Sequence, residues 1–221
     1  SVYIDGPENS IIEREQSKII SYIKKFKKKI SIKLIRQNKN HGLAFSVLNA
    51  IKTEFKTNDA IILIEDDCVP QKGFFKYIYK SLKKYKNEKK IKSICSYNNL
   101  NLKNTNKTFL LKRFNPWGWA TWRDRWKEFN PDIKIMIEQL HSLGKINKLP
   151  LDLKIYCKNN NILQGKEDIW SLSWTFAHYL DDALVLYPPY SLIKNIGFDG
   201  SGIHCTKTKV FDVSNNYRSK T

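Results

Sequence analysis

The sequence predicts an α/β fold, a doubly wound and mostly parallel sheet with helices on both faces. Three observations carry that expectation. Short apolar runs alternate with longer amphipathic segments through the first hundred of the 221 residues. Turn-forming or polar stretches separate them. The most apolar run, AIILIEDDCVP (60–70), ends in three adjacent carboxylates and a proline. Strands separated by helices imply βαβ units, and in such sheets ligands bind beyond the carboxyl ends of the strands.

VYI (2–4) reads as a short strand closed by the turn signal Asp5-Gly6-Pro7. Over 10–28, Ile11, Ile12, Ile19, Ile20, Ile23 and Phe26 recur on a helical period with Lys on the other face. ISIKLIR (30–36) alternates as a half-exposed strand does. NHGLAFSVLNAIKTEF (40–55) opens at Gly42 and continues as a helix. DAIILIEDD (59–67) is expected to be a central strand covered on both faces. A helix at about 71–85 carries Phe74, Phe75, Ile78, Leu82 and Tyr85 on one side, and IKSICSY (91–97) is the next strand.

The character then changes. A polar loop (98–108) precedes a strand, FLLKRF (109–114), and an aromatic block, NPWGWATWRDRW (115–126). Two or three helices are expected across 132–182, then a strand ALVLYP (183–188) and a glycine-rich tail, NIGFDGSGIHC (195–205). The expected organisation is one domain over 1–221, its second half building one wall of a cleft.

Composition bounds the function classes. A hydrophobic fraction of 41% with 13% aromatics supports a packed core and excludes general disorder. No apolar run approaches the roughly 20 residues of a membrane span. The net charge of +18 invites a nucleic-acid reading. Its lysines, however, are scattered over helix faces, as in KKFKKK (24–29) and KKYKNEKK (83–90), and join no base-reading motif. Nucleic acid is therefore not the expected partner; the charge suits an anionic membrane surface or a phosphorylated substrate. Cys68, Cys95, Cys157 and Cys205 form no CxxC pair, which fits reduced thiols in a cytoplasmic protein.

Two carboxylate groups stand out. Glu65, Asp66 and Asp67 repel one another unless a cation offsets their charge. Mg²⁺ and Mn²⁺ prefer hard oxygen ligands and bind through one or two protein carboxylates plus substrate phosphate. Hydrated charges on an exposed loop are the plainer alternative. Glu167-Asp168 in GKEDIW reads on its own as a pair of ordinary acids in a helix first turn, where an ionised carboxylate is favoured. In the aromatic block, Trp122 and Trp126 are expected in the core and Trp117-Gly118-Trp119 at a pocket. Arg113, Arg123 and Arg125 pair with carboxylates or with phosphate. His204 stands near the end of the glycine-rich tail and reads on its own as a surface residue.

ILIEDDCVPQKGFFKYI resembles the DXD-type segment of GT-A glycosyltransferases, in the branch containing N-acetylglucosaminyltransferase I and related bacterial polysaccharide glycosyltransferases. NPWGWATWRDRW, GKEDIWSLSW and NIGFDGSGIHC resemble later blocks of the bacterial group, so the likeness runs over most of 1–205. The resemblance implies a GT-A sheet whose residues 1–100 bind nucleotide and whose residues 101–221 serve acceptor and catalysis. Glu65 and Asp66 then resemble the positions contacting ribose and sugar, Asp67 the principal metal ligand, and His204 the histidine that completes the metal or phosphate site. Asp5 resembles the aspartate that approaches the base, and Asn40 and Gly42 lie in the block flanking the diphosphate. Asp168, with Glu167, resembles the xED motif that supplies the base of inverting enzymes.

The function so implied is a glycosyltransferase dependent on Mn²⁺ or Mg²⁺. It moves a hexose or N-acetylhexosamine from a nucleotide-diphosphate sugar, UDP-linked, to a glycan or lipid-linked acceptor in surface polysaccharide synthesis at the cytoplasmic membrane face. Two rivals remain: a sugar-1-phosphate nucleotidyltransferase, although no glycine-rich phosphate loop opens the chain, and a non-catalytic basic module binding polyanions. The resemblance also implies a strand and helix ahead of VYI, lying in the sheet between VYI and IILIE. The chain is accordingly expected to lack part of its nucleotide site.

Overall fold

The computed structural model describes residues 1–27, 29–100, 106–162, 169–200 and 207–213. They form an α/β structure in two compact units, Ser1–Thr57 and Asn58–Thr221.

In the first unit, β1 (Val2–Ile4) pairs in parallel with β2 (Leu34–Arg36), Tyr3 opposite Ile35. The crossover between them is α1 (Ser10–Phe26), and α2 (Leu43–Glu54) follows β2. Asn9 starts α1 by accepting from the amides of Ile11 and Ile12, both at 3.0 Å, two donors a helix start would otherwise leave unpaired. Gly42 precedes α2 at φ 82°, a conformation that glycine adopts without steric cost. The strand expected over 30–36 is shorter than its alternation suggested, beginning at Leu34.

The second unit holds a five-stranded sheet in the order β3-β7-β5-β8-β6. Its strands are β3 (Ala60–Leu63), β5 (Ile91–Cys95), β6 (Phe109–Leu111), β7 (Trp119–Trp122) and β8 (Leu184–Tyr187). A separate antiparallel pair joins β4 (Cys68–Pro70) to β9 (Ile193–Asn195). The five-stranded sheet is mixed. β3 and β5 are each antiparallel to β7, and β8 is parallel to β5, so β3, β5 and β8 share one direction. The alternation of strands and helices therefore yields parallel strands, but β7 lies between the first two and β6 runs antiparallel at the far edge.

This arrangement moves β3 from its expected place. It is an edge strand with half-buried and exposed residues, while the centre is β5, whose residues are all buried. The strand that displaces it was hidden in the aromatic block.

Helices cover both faces of this sheet. On one lies α3 (Phe74–Lys84), whose Phe74 and Ile78 join Ile91, Ile94, Ala120, Trp122 and Leu186 in one buried cluster. The register of β5 slips between Ile91 and Ser93, which is why Ile91 and Ile94, three apart, reach the same cluster. On the other face α7 (Trp170–Leu180) brings Trp174 to 2.9 Å from Ser93 Oγ, and its indole N–H donates there. Trp119 lies within 5.8–6.2 Å, ring centre to ring centre, of Trp126, Trp170 and Trp174. α5 (Ile133–Ser142) packs on α7, and α4 (Arg123–Trp126) and α6 (Leu151–Asn159) complete the helices. Among the described residues, no helix is long and apolar enough to cross a membrane.

Candidate functional site

β3 carries its aliphatic run directly into Ile64 and Glu65, and the amide of Cys68 donates to the Glu65 carbonyl at 3.0 Å to close a turn. That turn presents Asp66 and Asp67, and β4 begins at once. The β4·β9 ladder then sets Cys68 opposite Asn195, and the Ile196 amide donates to the Asp67 carbonyl at 2.8 Å. A short strand near the C-terminus is thereby laid against the acidic turn.

The Asp67 carboxylate is held by neutral donors. Asn195 Nδ2 donates to Oδ2 at 3.0 Å and the Cys68 thiol donates to Oδ1 at 3.3 Å. Gly197 lies so close that a Cβ there would stand 2.5 Å from Asp67 Oδ2, inside any tolerable contact. The ligand atoms of Glu65, Asp67 and Cys68 lie within 4.8 Å of one another. Burial, with the charges of Asp67 and Asp66, pushes Glu65 up to about 7. Burial, with the charge of Asp67, the hydrogen bond to it and the charge of Glu65, pushes the Cys68 thiol far above its ordinary value, so in the metal-free chain it is an S–H donor. Two carboxylates and a thiol this close could share one ion, and the carboxylate oxygens are the ligands a hard divalent cation prefers.

The β3·β7 ladder ends with Leu63 opposite Trp119, and Trp117 and Gly118 directly precede β7. Trp117 is half-buried and meets Tyr97, Phe198 and Phe211 edge-on, with centroids 4.5, 5.3 and 5.4 Å away. Gly118 stands at φ 60° with no room for a side chain: a Cβ would come within 2.5 Å of Ile193. Trp119 has no exposed surface. Its ring is core, against the expectation that it lines a pocket, because β7 turns it towards α7. Trp122 is core, as expected, its indole N–H donating to the Leu82 carbonyl at 3.2 Å.

In the first unit the structure brings Asp5, Asn40 and Gly42 together. The Gly42 amide donates to Asp5 Oδ2 at 2.9 Å and to Asn40 Oδ1 at 3.0 Å, and the His41 amide donates to Asp5 at 3.1 Å. Burial pushes the Asp5 carboxyl up, but the amides of His41, Gly6 and Gly42 outweigh it and hold the group below its ordinary value. Asp5 thus pins the turn ahead of α2. Glu167, Asp168 and His204 lie outside the described residues.

Sequence reasoning overlooked Asn195, Gly197 and Phe198. The Asn-Ile-Gly-Phe string stood in the tail block, but three residues of strand leave no periodic signal, and only the ladder with β4 shows what they touch. The arginines resolve differently: Arg123 pairs with Asp59, Arg113 with Asp152 at 2.9 Å and Arg125 with Asp124 at 2.6 Å. Arg125 is buried and also lies over the Trp122 ring, 4.4 Å from its centre.

One buried pair outside this region has the look of a nucleophile and base. His178 stands 3.1 Å from Ser93 Oγ and 2.7 Å from the Trp174 carbonyl. Neither His178 nor Ser93 has any exposed surface, and burial with the Lys92 charge lowers His178 to about 3. A neutral imidazole donating to the carbonyl and accepting from Ser93 satisfies every group, and the serine still accepts from Trp174. This is core architecture. No protein-family model matches the chain, and no curated protein matches it significantly.

Proposed function

We propose that the chain is the catalytic domain of a metal-dependent glycosyltransferase of the GT-A type. The observation that supports this reading is the Glu65–Asp67 turn: the Glu65 and Asp67 carboxylates and the Cys68 thiol gathered within reach of one ion just past the end of a strand. The donor is a nucleotide-diphosphate sugar, UDP-linked, carrying a hexose or N-acetylhexosamine, and the acceptor is a glycan or a lipid-linked glycan at the cytoplasmic membrane face.

In this reading Asp67 is the principal ligand of Mn²⁺ or Mg²⁺, held in place by Asn195, and Glu65 and Asp66 receive the ribose and sugar. When bound, the metal supplies positive charge to the departing diphosphate. Trp117 offers an aromatic plane on which an apolar sugar face can rest, and Gly118 lets the loop carrying it pack closely on Ile193 of β9. Asp168, assigned by resemblance with Glu167 beside it, removes the acceptor proton in a single inverting displacement, and His204, likewise assigned, completes the metal or phosphate site. Asp5, Asn40 and Gly42 shape the loop assigned to the base and diphosphate.

Thermal unfolding with and without UDP and Mn²⁺ tests the reading. UDP raises the melting temperature only when the metal is present, and Asp67→Ala abolishes the shift. Asp168→Asn keeps the shift but lowers sugar transfer by about 10²-fold or more. Protection by UDP without metal, or an undiminished shift in Asp67→Ala, would reject it.

A further inference from the structure

We infer that α1 is an interfacial helix that lays a bare apolar stripe on an anionic lipid surface. None of its 17 residues is buried. Exposure reaches 72% at Ile11, 61% at Tyr22, 53% at Ile19, 40% at Ile12 and 37% at Phe26. At 3.6 residues per turn these five side chains span an arc of only about 100°, so they form one continuous strip along the helix.

The helix is not merely adrift. Its adjoining arc, at Gln16, Ile20 and Ile23, is partly buried, and Gln16 Nε2 donates to the Asp5 carbonyl at 3.0 Å. The first unit thus holds one side and leaves the neighbouring apolar strip open. Tyr22 and Phe26 are in edge contact at 5.1 Å and form a paired aromatic tip near its C-terminal end.

Charge identifies the occupant. Arg14, Lys18 and Lys25 follow one border of the strip, and Lys27 continues past the helix. The acid within the strip, Glu15, is paired with Lys18 at 2.6 Å, and Glu13 on the opposite face reaches Arg36 at 3.5 Å. An isoleucine and aromatic stripe edged by cations matches the acyl boundary and headgroups of an anionic bilayer, into which such helices sink a few ångströms. Long lysine and arginine stems reach from the apolar level back to the headgroups. A polyanion such as nucleic acid would engage the cations and leave the isoleucines without a role. Lipid binding by α1 is independent of the carboxylate turn in the second unit, so either can fail without the other.

Cosedimentation of the intact chain with vesicles of phosphatidylcholine, alone or mixed with phosphatidylglycerol, reads this directly. Binding is expected to the mixed vesicles and to weaken as salt is raised. Ile19→Ser with Tyr22→Ser lowers the partition coefficient about tenfold or more through lost apolar burial. Lys18→Gln with Lys25→Gln lowers it by roughly fivefold for each charge. Both pairs are exposed, and circular dichroism verifies that the variants remain folded. Unchanged binding of the Ile19/Tyr22 variant would overturn the inference, because the net charge alone would then hold the lipid. So would failure of the unaltered chain to bind the mixed vesicles, or a dimer that the same variant dissolves with no effect on vesicle binding.

Discussion

Glu65 sits where burial and two neighbouring carboxylates oppose its ionisation, and its pKa of about 7 against an ordinary 4.5 has a definite consequence. Between those values the folded chain binds more protons than the unfolded one, so this group's stabilising contribution is full below pH 4.5 and is lost as pH rises through about 7. In metal-free chain, Glu65→Gln should remove a stability loss of up to about 2 kcal/mol between pH 5 and 8, measured by urea unfolding at each pH. An identical pH profile in the variant would show that Glu65 is not under this strain. The acidic triplet was legible because three adjacent carboxylates after an aliphatic run are conspicuous in any sequence. Asn195 and Gly197 were not, since what distinguishes them is a partner 128 residues away in the case of Asn195.

At the level of elements, α7 shows how a helix can be locked by one neutral imidazole. His178 is held near pKa 3 in the fold, while an unfolded histidine titrates at about 6.5. Its contribution is complete above pH 6.5 and fades as the pH falls towards 3. Going from pH 7 to 5 should cost about 2 kcal/mol through this residue alone, and His178→Gln should flatten that part of the profile even though it lowers stability overall. Denaturant midpoints across that range measure it; a slope unaltered by the substitution would assign the acid sensitivity elsewhere. The effects of Glu65 and His178 run in opposite directions between pH 4.5 and 6.5, so each needs its own variant. Helices α1 and α3 were legible from apolar spacing, whereas 132–182 showed only that two or three helices lay there. β7 was not: its alternation places Trp119 and Thr121 on one face and Ala120 and Trp122 on the other, all buried, so no polar face marks it as a strand. Without β7, β3 seemed the natural centre of the sheet.

Across the whole molecule the two units differ in size and in reporters. All six tryptophans lie beyond residue 57, so indole fluorescence reports the second unit alone, whereas far-ultraviolet circular dichroism also senses α1 and α2. A unit of 57 residues, with its longest helix unburied, has little core to sustain it. Thermal unfolding should therefore give dichroism and fluorescence curves that do not coincide, the dichroism starting its loss at lower temperature. Superimposable curves would show one cooperative structure. The alternating α/β class was legible through the first hundred residues because helix and strand periods differ. The mixed pairing was not, since strand direction depends on which distant segments meet.

The place of β7 also sets an order of assembly. β3 ends at Leu63 and β5 begins at Ile91, yet neither meets its shared neighbour until Trp119–Trp122 has been made. During synthesis on the ribosome, the early strands must wait with open hydrogen-bonding edges while a further stretch of chain emerges, a state prone to mispairing and suited to capture by a chaperone. The joining of β3 to β5 is thus timed by the tryptophan block.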